Sequence, residues 1–160
     1  FLTTTLATHP EVDAYWDLAG QLALARGDVS SAVERFRRAT DIEPENAEYL
    51  GHLASACSAA GRLADARDAL AWAERFPPRD AEGWVAIGSA WDRLGETDRA
   101  VATFGRARDS AHAGPSADAG AALALARAGR MAEARKVLAD GLRRYPDSKA
   151  LRQLLTRFRG

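Results

Sequence analysis

The sequence predicts an all-α fold, a solenoid built from short antiparallel helix pairs. The first observation is a set of glycines with a constant spacing of 34 residues: Gly27, Gly61, Gly95 and Gly129. The second is that other positions keep the same register without insertions, among them Ala32, Ala66, Ala100 and Ala134. Repeats with a period of roughly 20–50 residues are typical of arrays in which each unit buries its core against its neighbours.

The order of large and small residues indicates helices that pack closely. Four residues after each alanine stands a large apolar residue: Phe36, Leu70, Phe104 and Leu138. Three residues further stands a small one: Ala39, Ala73, Ala107 and Gly141. Small side chains let helix backbones approach, and large ones fill the space beside them. This order therefore predicts a close-packed core.

In the first repeat, the helices can be placed residue by residue. Apolar and small residues recur at helical spacing and predict the first helix: Trp16, Ala19, Gly20 and Ala23. Gly27 ends this helix, because glycine takes the left-handed conformation without a steric penalty. Asp28 or Ser30 then offers an oxygen that caps the second helix, and Pro44 closes it.

The later repeats follow the same order, but the fourth departs from it at its start. Asp118 stands where the other repeats have Trp or Leu. The Gly-Pro-Ser segment at 114–116 replaces the usual turn and predicts a first helix that begins late, at Ser116 or Ala117. Residues 117–128 are rich in alanine and glycine, and offer little side chain for packing. We expect this to be the loosest pair or a surface that a partner covers.

The register divides the chain into four repeats with a partial segment at each end. The repeats span residues 13–46, 47–80, 81–114 and 115–148. Residues 1–12 are predicted to be the tail of a preceding second helix, because Leu2 lies 34 residues before Phe36. Residues 149–160 carry an apolar stripe and form either a capping helix or the start of a further repeat. We expect the sequence to be a piece of a longer protein.

Composition argues against several classes of function. Residues 1–126 carry 12 Lys and Arg against 19 Asp and Glu, which disfavours a nucleic-acid-binding surface. No run approaches the roughly 18 apolar residues that cross a membrane, so no direct membrane insertion is expected. A single cysteine leaves the compartment undecided between cytoplasm and periplasm. A terminal targeting signal can also be missing from a piece of a longer chain.

The sequence has no arrangement typical of catalysis. It contains no glycine-rich phosphate loop, no Gly-x-Ser-x-Gly turn and no His-Glu-x-x-His helix, so we predict that it is not an enzyme. His52 and Cys57 are five residues apart, a poor spacing for metal ligands on a helix, and no metal ion or cofactor is predicted. Cys57 is interpreted as a small core residue. Trp72, on a second helix, either packs at the next turn or stays partly exposed.

The complete motif resembles the tetratricopeptide repeat. The signature of that family begins Trp-x2-Leu-Gly-x2-Tyr and continues with Ala, Phe, Ala and Pro at fixed offsets. The first repeat matches it at Trp16, Ala19, Gly20, Ala23, Gly27, Ala32, Phe36, Ala39 and Pro44. The resemblance covers residues 13–148. It implies a right-handed solenoid in which the first helix of each pair lines the concave face.

The resemblance also implies which residues would contact a partner in the concave groove. In the first two repeats these are Asp17, Leu18, Gln21, Leu24, Glu48, His52 and Ser55. In the third and fourth repeats they are Glu82, Val85, Ser89, Asp92, Arg93 and Arg127. Acidic and small residues dominate the first three repeats, which favours a partner segment with a basic or polar stretch.

The function implied by the resemblance is a non-enzymatic scaffold that holds a partner protein or peptide, within a bacterial assembly, secretion or polysaccharide-export system. Family members that clamp chaperone tails use Lys and Asn at groove positions that here hold Asp17, Gln21, His52 and Glu82, so that clamp is not expected. Two alternatives stay open. One is the non-catalytic arm of a multidomain enzyme such as a glycosyltransferase. The other is a self-association module that forms a homo-oligomer through the ends of the array.

Overall fold

The computed structural model describes residue 9 and residues 11–78, 80–110 and 112–158. The predictions made for residues 1–8 and for residue 10 lie outside these ranges. Within them the chain forms nine α-helices and no strand: α1 Asp13–Ala25, α2 Val29–Ile42, α3 Ala47–Ala59, α4 Leu63–Ala73, α5 Ala81–Arg93, α6 Thr97–Asp109, α7 Pro115–Arg127, α8 Met131–Arg144 and α9 Lys149–Arg157. The prediction of an all-α fold is confirmed.

The chain divides after Pro78 into two compact units. In the first unit, α1 packs against α2 and α3 packs against α4, and the two pairs are joined by contacts between α2 and α3 and between α1 and α3. In the second unit, α5 packs against α6 and α7 against α8, joined in the same way, and α9 packs against α8 and α7. Each unit is therefore a stack of helix pairs, as a solenoid requires.

Glycine turns reverse the chain between the two helices of each pair. The φ angle is +78° at Gly27, +75° at Gly61, +77° at Gly95 and +76° at Gly129, in the left-handed region where a Cβ is unfavourable. The residue after each glycine donates its N–H to a carbonyl five residues earlier, and the distance from Asp28 N to Ala23 O is 2.9 Å. This is the Schellman arrangement, and it confirms that the glycines end the first helices.

The first residues of α2 and α7 test two expectations from the sequence. Asp28 Oδ1 accepts a hydrogen bond from the N–H of Ser31 at 3.1 Å and caps α2. Helix α7 begins at Pro115, so the expected start at Ser116 or Ala117 is wrong by one or two residues. Proline suits the first helical position because its φ angle is already helical and it has no N–H to leave unpaired.

The room between the two helices of a pair is matched to the side chain that fills it. In the first repeat the Phe36 ring lies against Gly20, and a Cβ built there would be 2.6 Å from Cε1. In the third repeat the Phe104 ring lies against Gly88 in the same way, and a Cβ built on Gly88 would be 2.8 Å from Cε1 of Phe104. At the same two positions, the second and fourth repeats have the fully buried residues Ala54, Leu70, Ala122 and Leu138.

The last helices share one apolar cluster. Leu138 of α8 packs with Leu125 of α7 and with Leu151 and Phe158 from the C-terminal segment. The alanine-rich helix α7 contributes small side chains that are buried: Ala117, Ala121, Ala122 and Ala124. The part of the chain that the structure describes has no helix long and apolar enough to cross a membrane.

Candidate partner-binding surface

The first helices of neighbouring pairs lie side by side within each unit, and polar side chains join them. In the first unit, Asp17 of α1 lies under α3, with its Oδ1 atom 2.7 Å from Nδ1 of His52. Its second oxygen, Oδ2, accepts a hydrogen bond from Nε2 of Gln21 at 2.7 Å. Asp17 therefore has a partner on its own helix and a partner on the next first helix.

Burial at this position corrects one expectation from the sequence. The repeat register predicts that Asp17 and Ser55 are exposed on the groove, but their exposed fractions are 5% and 7%. The reason for Asp17 is that the next first helix covers it. His52 is half-buried, because its ring lies 5.4 Å from the ring of Phe36, on the second helix of the preceding pair.

The other predicted groove residues of the first unit have mixed exposure. Leu18 is 48% exposed, and Gln21 is exposed as well. Leu24 and Glu48 are half-buried.

Tyr49 belongs to the same junction between first helices. Its hydroxyl donates a hydrogen bond to Asp13 Oδ2 at 2.8 Å. Burial, and then this hydrogen bond to a carboxylate, raise the pKa of the Tyr49 phenol above its ordinary value. Sequence reasoning did not identify this pair, because Asp13 and Tyr49 lie on different repeats and match no motif.

In the second unit, Asp92 of α5 and Arg127 of α7 form the corresponding link. The guanidinium of Arg127 donates to both oxygens of the Asp92 carboxylate, and the distance from Nε to Oδ1 is 3.3 Å. The Asp92 side chain is only 9% exposed, whereas that of Arg127 is 62% exposed. Glu82 and Arg93 are exposed beside this pair, and the structure places Val85 and Ser89 in half-buried positions.

Asp118 is a charged side chain in the core of the second unit. It is completely buried, and its Oδ1 atom accepts a hydrogen bond from Arg144 at 2.6 Å and lies 3.7 Å from Arg108. Its Oδ2 atom has no hydrogen-bond partner within the described chain. A Cβ at Gly141 would be 2.9 Å from Oδ2, so the glycine makes room for the carboxylate. The sequence carries two signals of this arrangement. Asp118 stands where the other repeats have Trp or Leu, and Gly141 stands where the other three repeats have alanine.

Cys57 is buried, as expected of a small core residue, whereas the tryptophans differ in how far they are exposed. Cys57 is 1% exposed, and burial raises the pKa of its thiol. Trp91 is buried beneath Arg99, and Trp84 is half-buried beneath Arg106. Trp72 is 40% exposed, and its indole Nε1–H donates to a backbone carbonyl, the oxygen of Pro44, at 2.8 Å.

One cluster in the first unit has the composition of a metal site. The side chains of Asp17, Glu48 and His52 each offer one ligand atom, and these atoms all lie within 4.8 Å of one another. The spacing considered in the sequence, His52 with Cys57, does not lead to this cluster, because Asp17 comes from another repeat.

Buried alanines, left-handed glycine turns and paired helices define an α-solenoid protein of the helical-repeat class. The chain belongs to the tetratricopeptide repeat family, whose models match residues 23–88 and residues 115–158. Proteins of this fold are in general scaffolds for protein–protein interaction, and they are typically non-catalytic.

Known proteins similar to this chain include one curated relative and several solved structures. The chain is 33% identical over 82 residues, 51% of its length, to the TPR repeat-containing thioredoxin TTL4 of Arabidopsis thaliana, and it spans 12% of the length of that relative. Among solved structures, a thermophilic TPR protein of Thermus thermophilus has a TM-score of 0.80 and 24% identity, with 98% of this chain and 86% of the other covered.

A second solved structure, pilF of Pseudomonas aeruginosa, has a TM-score of 0.70 and 17% identity, with 94% of this chain and 69% of the other covered. At these identities, the likeness to the two structures concerns the fold.

Proposed function

We propose that the chain holds a segment of a partner polypeptide against the first helices of its pairs. The observation that carries the proposal is the second unit, where α5 and α7 lie side by side and present exposed Glu82, Arg93 and Arg127 around half-buried Val85 and Ser89. Such a face offers charged groups at its edge and small side chains at its centre. An extended or helical peptide segment can bind to a surface of this kind.

The charges of this face suggest what the partner segment carries. Asp17 and Asp92 already have partners within the chain, so they contribute less negative potential than their number suggests. Exposed Glu82 and Arg93 carry opposite charges on the same helix. We therefore propose a polar partner segment of mixed charge.

A matched pair of arginine variants tests the proposal. Arg93 on α5 and Arg135 on α8 are both exposed, and Arg135 lies on a second helix, away from the proposed face. Peptides selected from a displayed library against the whole protein serve as probes, and their affinities are measured by fluorescence anisotropy. We expect Arg93→Glu to weaken selected peptides at least about tenfold, since an attraction is replaced by a repulsion.

In the same experiment Arg135→Glu should leave the affinity within about twofold. Failure to select any peptide, or an equal loss with Arg135→Glu, would contradict the first-helix face as the binding surface. Far-UV circular dichroism of both variants checks that the helices are retained.

A second proposal is that the array is a non-catalytic part of a larger protein. It is supported by the Arabidopsis relative, which is named as a repeat-containing thioredoxin and of which the match spans 12%. Reading the gene on both sides of these residues tests this proposal, which predicts a coding region for another domain. A gene that encodes repeats alone would contradict it.

A further inference from the structure

The Asp17, Glu48 and His52 side chains bring three potential metal ligands together at the junction of α1 and α3. Glu48 and His52 are four residues apart on α3, so they project from the same face one turn apart. Asp17 reaches the same point from α1, and the ligand atoms of the three residues lie within 4.8 Å of one another. We propose that this cluster binds a divalent transition-metal ion, with Zn²⁺ as the reference ion.

The chemistry of the donors selects the class of ion. One imidazole nitrogen with two carboxylates suits Zn²⁺, which takes nitrogen and oxygen ligands, whereas Mg²⁺ and Ca²⁺ prefer sets made of oxygen alone. Tetrahedral bonds of about 2.1 Å separate ligand atoms by about 3.4 Å. The Asp17–His52 distance of 2.7 Å would have to open, and any pair of ligand atoms separated by more than this, up to the limit of 4.8 Å, would have to close. Side-chain rotations on fixed helices can supply both changes.

Two of the three ligands are held in place by neighbouring groups. The amide of Gln21 donates to Oδ2 of Asp17 and leaves Oδ1 directed towards His52. The ring of His52 lies against the ring of Phe36, at 5.4 Å between centroids. A hydrogen bond to a metal ligand, such as the one from Gln21 to Asp17, orients that ligand and raises the affinity of the site for the metal ion. A buried, oriented carboxylate also distinguishes this cluster from a group of acidic residues on an open surface.

The same combination does not recur at the equivalent positions of the other repeats. The position of His52 holds Leu18, Ala86 and Gly120, and the position of Glu48 holds Ala14, Glu82 and Ser116. The third repeat therefore has the glutamate without the histidine. Glu82 is a matched control for Glu48, since it is the same residue at the same repeat position.

Isothermal titration of the whole protein with Zn²⁺ alone tests the proposal. We expect one ion per chain, and an affinity at least about tenfold lower for Glu48→Gln and for His52→Asn, because each loses one ligand. Asparagine at position 52 keeps an N–H that can bond to Asp17, so the fold is preserved more safely than with alanine. Glu82→Gln should leave the affinity within about twofold.

His9 provides the control for unspecific binding, because it is an exposed histidine with Glu11 at 3.4 Å. His9→Asn should not change the affinity for Zn²⁺. Equal losses with His9→Asn and Glu48→Gln would indicate an adventitious ion only and would overturn the proposal. Failure to reach saturation at one ion per chain, or equal affinity for Mg²⁺, would overturn it as well. Circular dichroism of each variant confirms folding, and if His52→Asn unfolds, Glu48→Gln decides alone.

Discussion

Replacing Gly20 with alanine tests the size matching between the two helices of the first repeat. A Cβ at this position would lie 2.6 Å from Cε1, 2.7 Å from Cδ1 and 2.9 Å from Cζ of Phe36. Favourable carbon–carbon contacts begin at about 3.5 Å, so the ring or the helix must move by close to 1 Å. The Phe36 side chain has no exposed surface, so other groups of the fold surround the ring that would have to move.

Two effects of opposite sign determine the outcome. Overpacking of this kind costs about 1–3 kcal/mol, while alanine in a helix is favoured over glycine by about 1 kcal/mol. We therefore expect Gly20→Ala to lower the free energy of unfolding by up to about 2 kcal/mol. Gly105→Ala is the control, because its Cβ would meet only Nη2 of Arg108 at 3.5 Å. This control should raise the free energy of unfolding by up to about 1 kcal/mol.

A double-mutant cycle isolates the contact from the helix preference. In the Phe36→Leu background the first repeat acquires the alanine–leucine combination of the second, and Gly20→Ala should then be stabilising. The coupling energy should be about 1–3 kcal/mol. Urea unfolding followed by far-UV circular dichroism measures all four proteins. A coupling energy near zero, with Gly20→Ala stabilising in both backgrounds, would refute the size-matching argument.

Two further predictions concern the buried polar groups. Arg144→Ala should lower the free energy of unfolding by about 3 kcal/mol, since it leaves the Asp118 carboxylate buried with a weaker partner. Asp118→Leu should instead be neutral or stabilising, because the freed arginine reaches water. Thermal unfolding compares the two variants, and equal losses of stability would contradict this account. Tyr49 has a raised pKa, so its protonated phenol stabilises the fold below the unfolded pKa of about 10, and this contribution is lost at higher pH. Ultraviolet absorbance titration should show its late ionisation, and Asp13→Asn should bring the pKa down; an unchanged pKa would exclude the carboxylate as a cause.

Most of the fold could be predicted because it depends on features that recur at every repeat. The glycine turns are an example, since Gly27 and its equivalents carry their conformational requirement in their own residue type. The small and large core residues are another, since 34-residue spacing places them on the same helix faces. The family and the all-α fold followed from these positions.

The site was harder to predict because its contacts join different repeats. Asp17 meets His52 and Asp92 meets Arg127, in each case 35 residues apart, and only one member of each pair lies in any one repeat. The repeat register predicts on which face of its helix a residue lies, but it does not predict which side chain of the next repeat that residue contacts. For that reason the burial of Asp17 was missed.

Asp118 shows a different limit of the repeat pattern. The sequence marked it as a departure from the motif, but its partner Arg144 follows 26 residues later with no motif to indicate the pairing. Only the packing of α7 against α8 brings the two side chains together. The departure from the motif is visible in the sequence, but neither the burial of the carboxylate nor the group that compensates its charge is.

The pairing of Gly20 with Phe36 and of Ala54 with Leu70 also determines which segments can be exchanged. A chimera joined at the Gly27 turn that replaces α2 with α6 would bring phenylalanine opposite Gly20 again, whereas replacement with α4 would bring leucine and leave a void. In this contact the first and third repeats are therefore matched to each other. The second and fourth repeats are not, because Ala73 of α4 would stand where Gly141 makes room for the Asp118 carboxylate. For this contact alone, recombination at the glycine turns would preserve the packing at a step of 68 residues, the distance from Gly20 to Gly88.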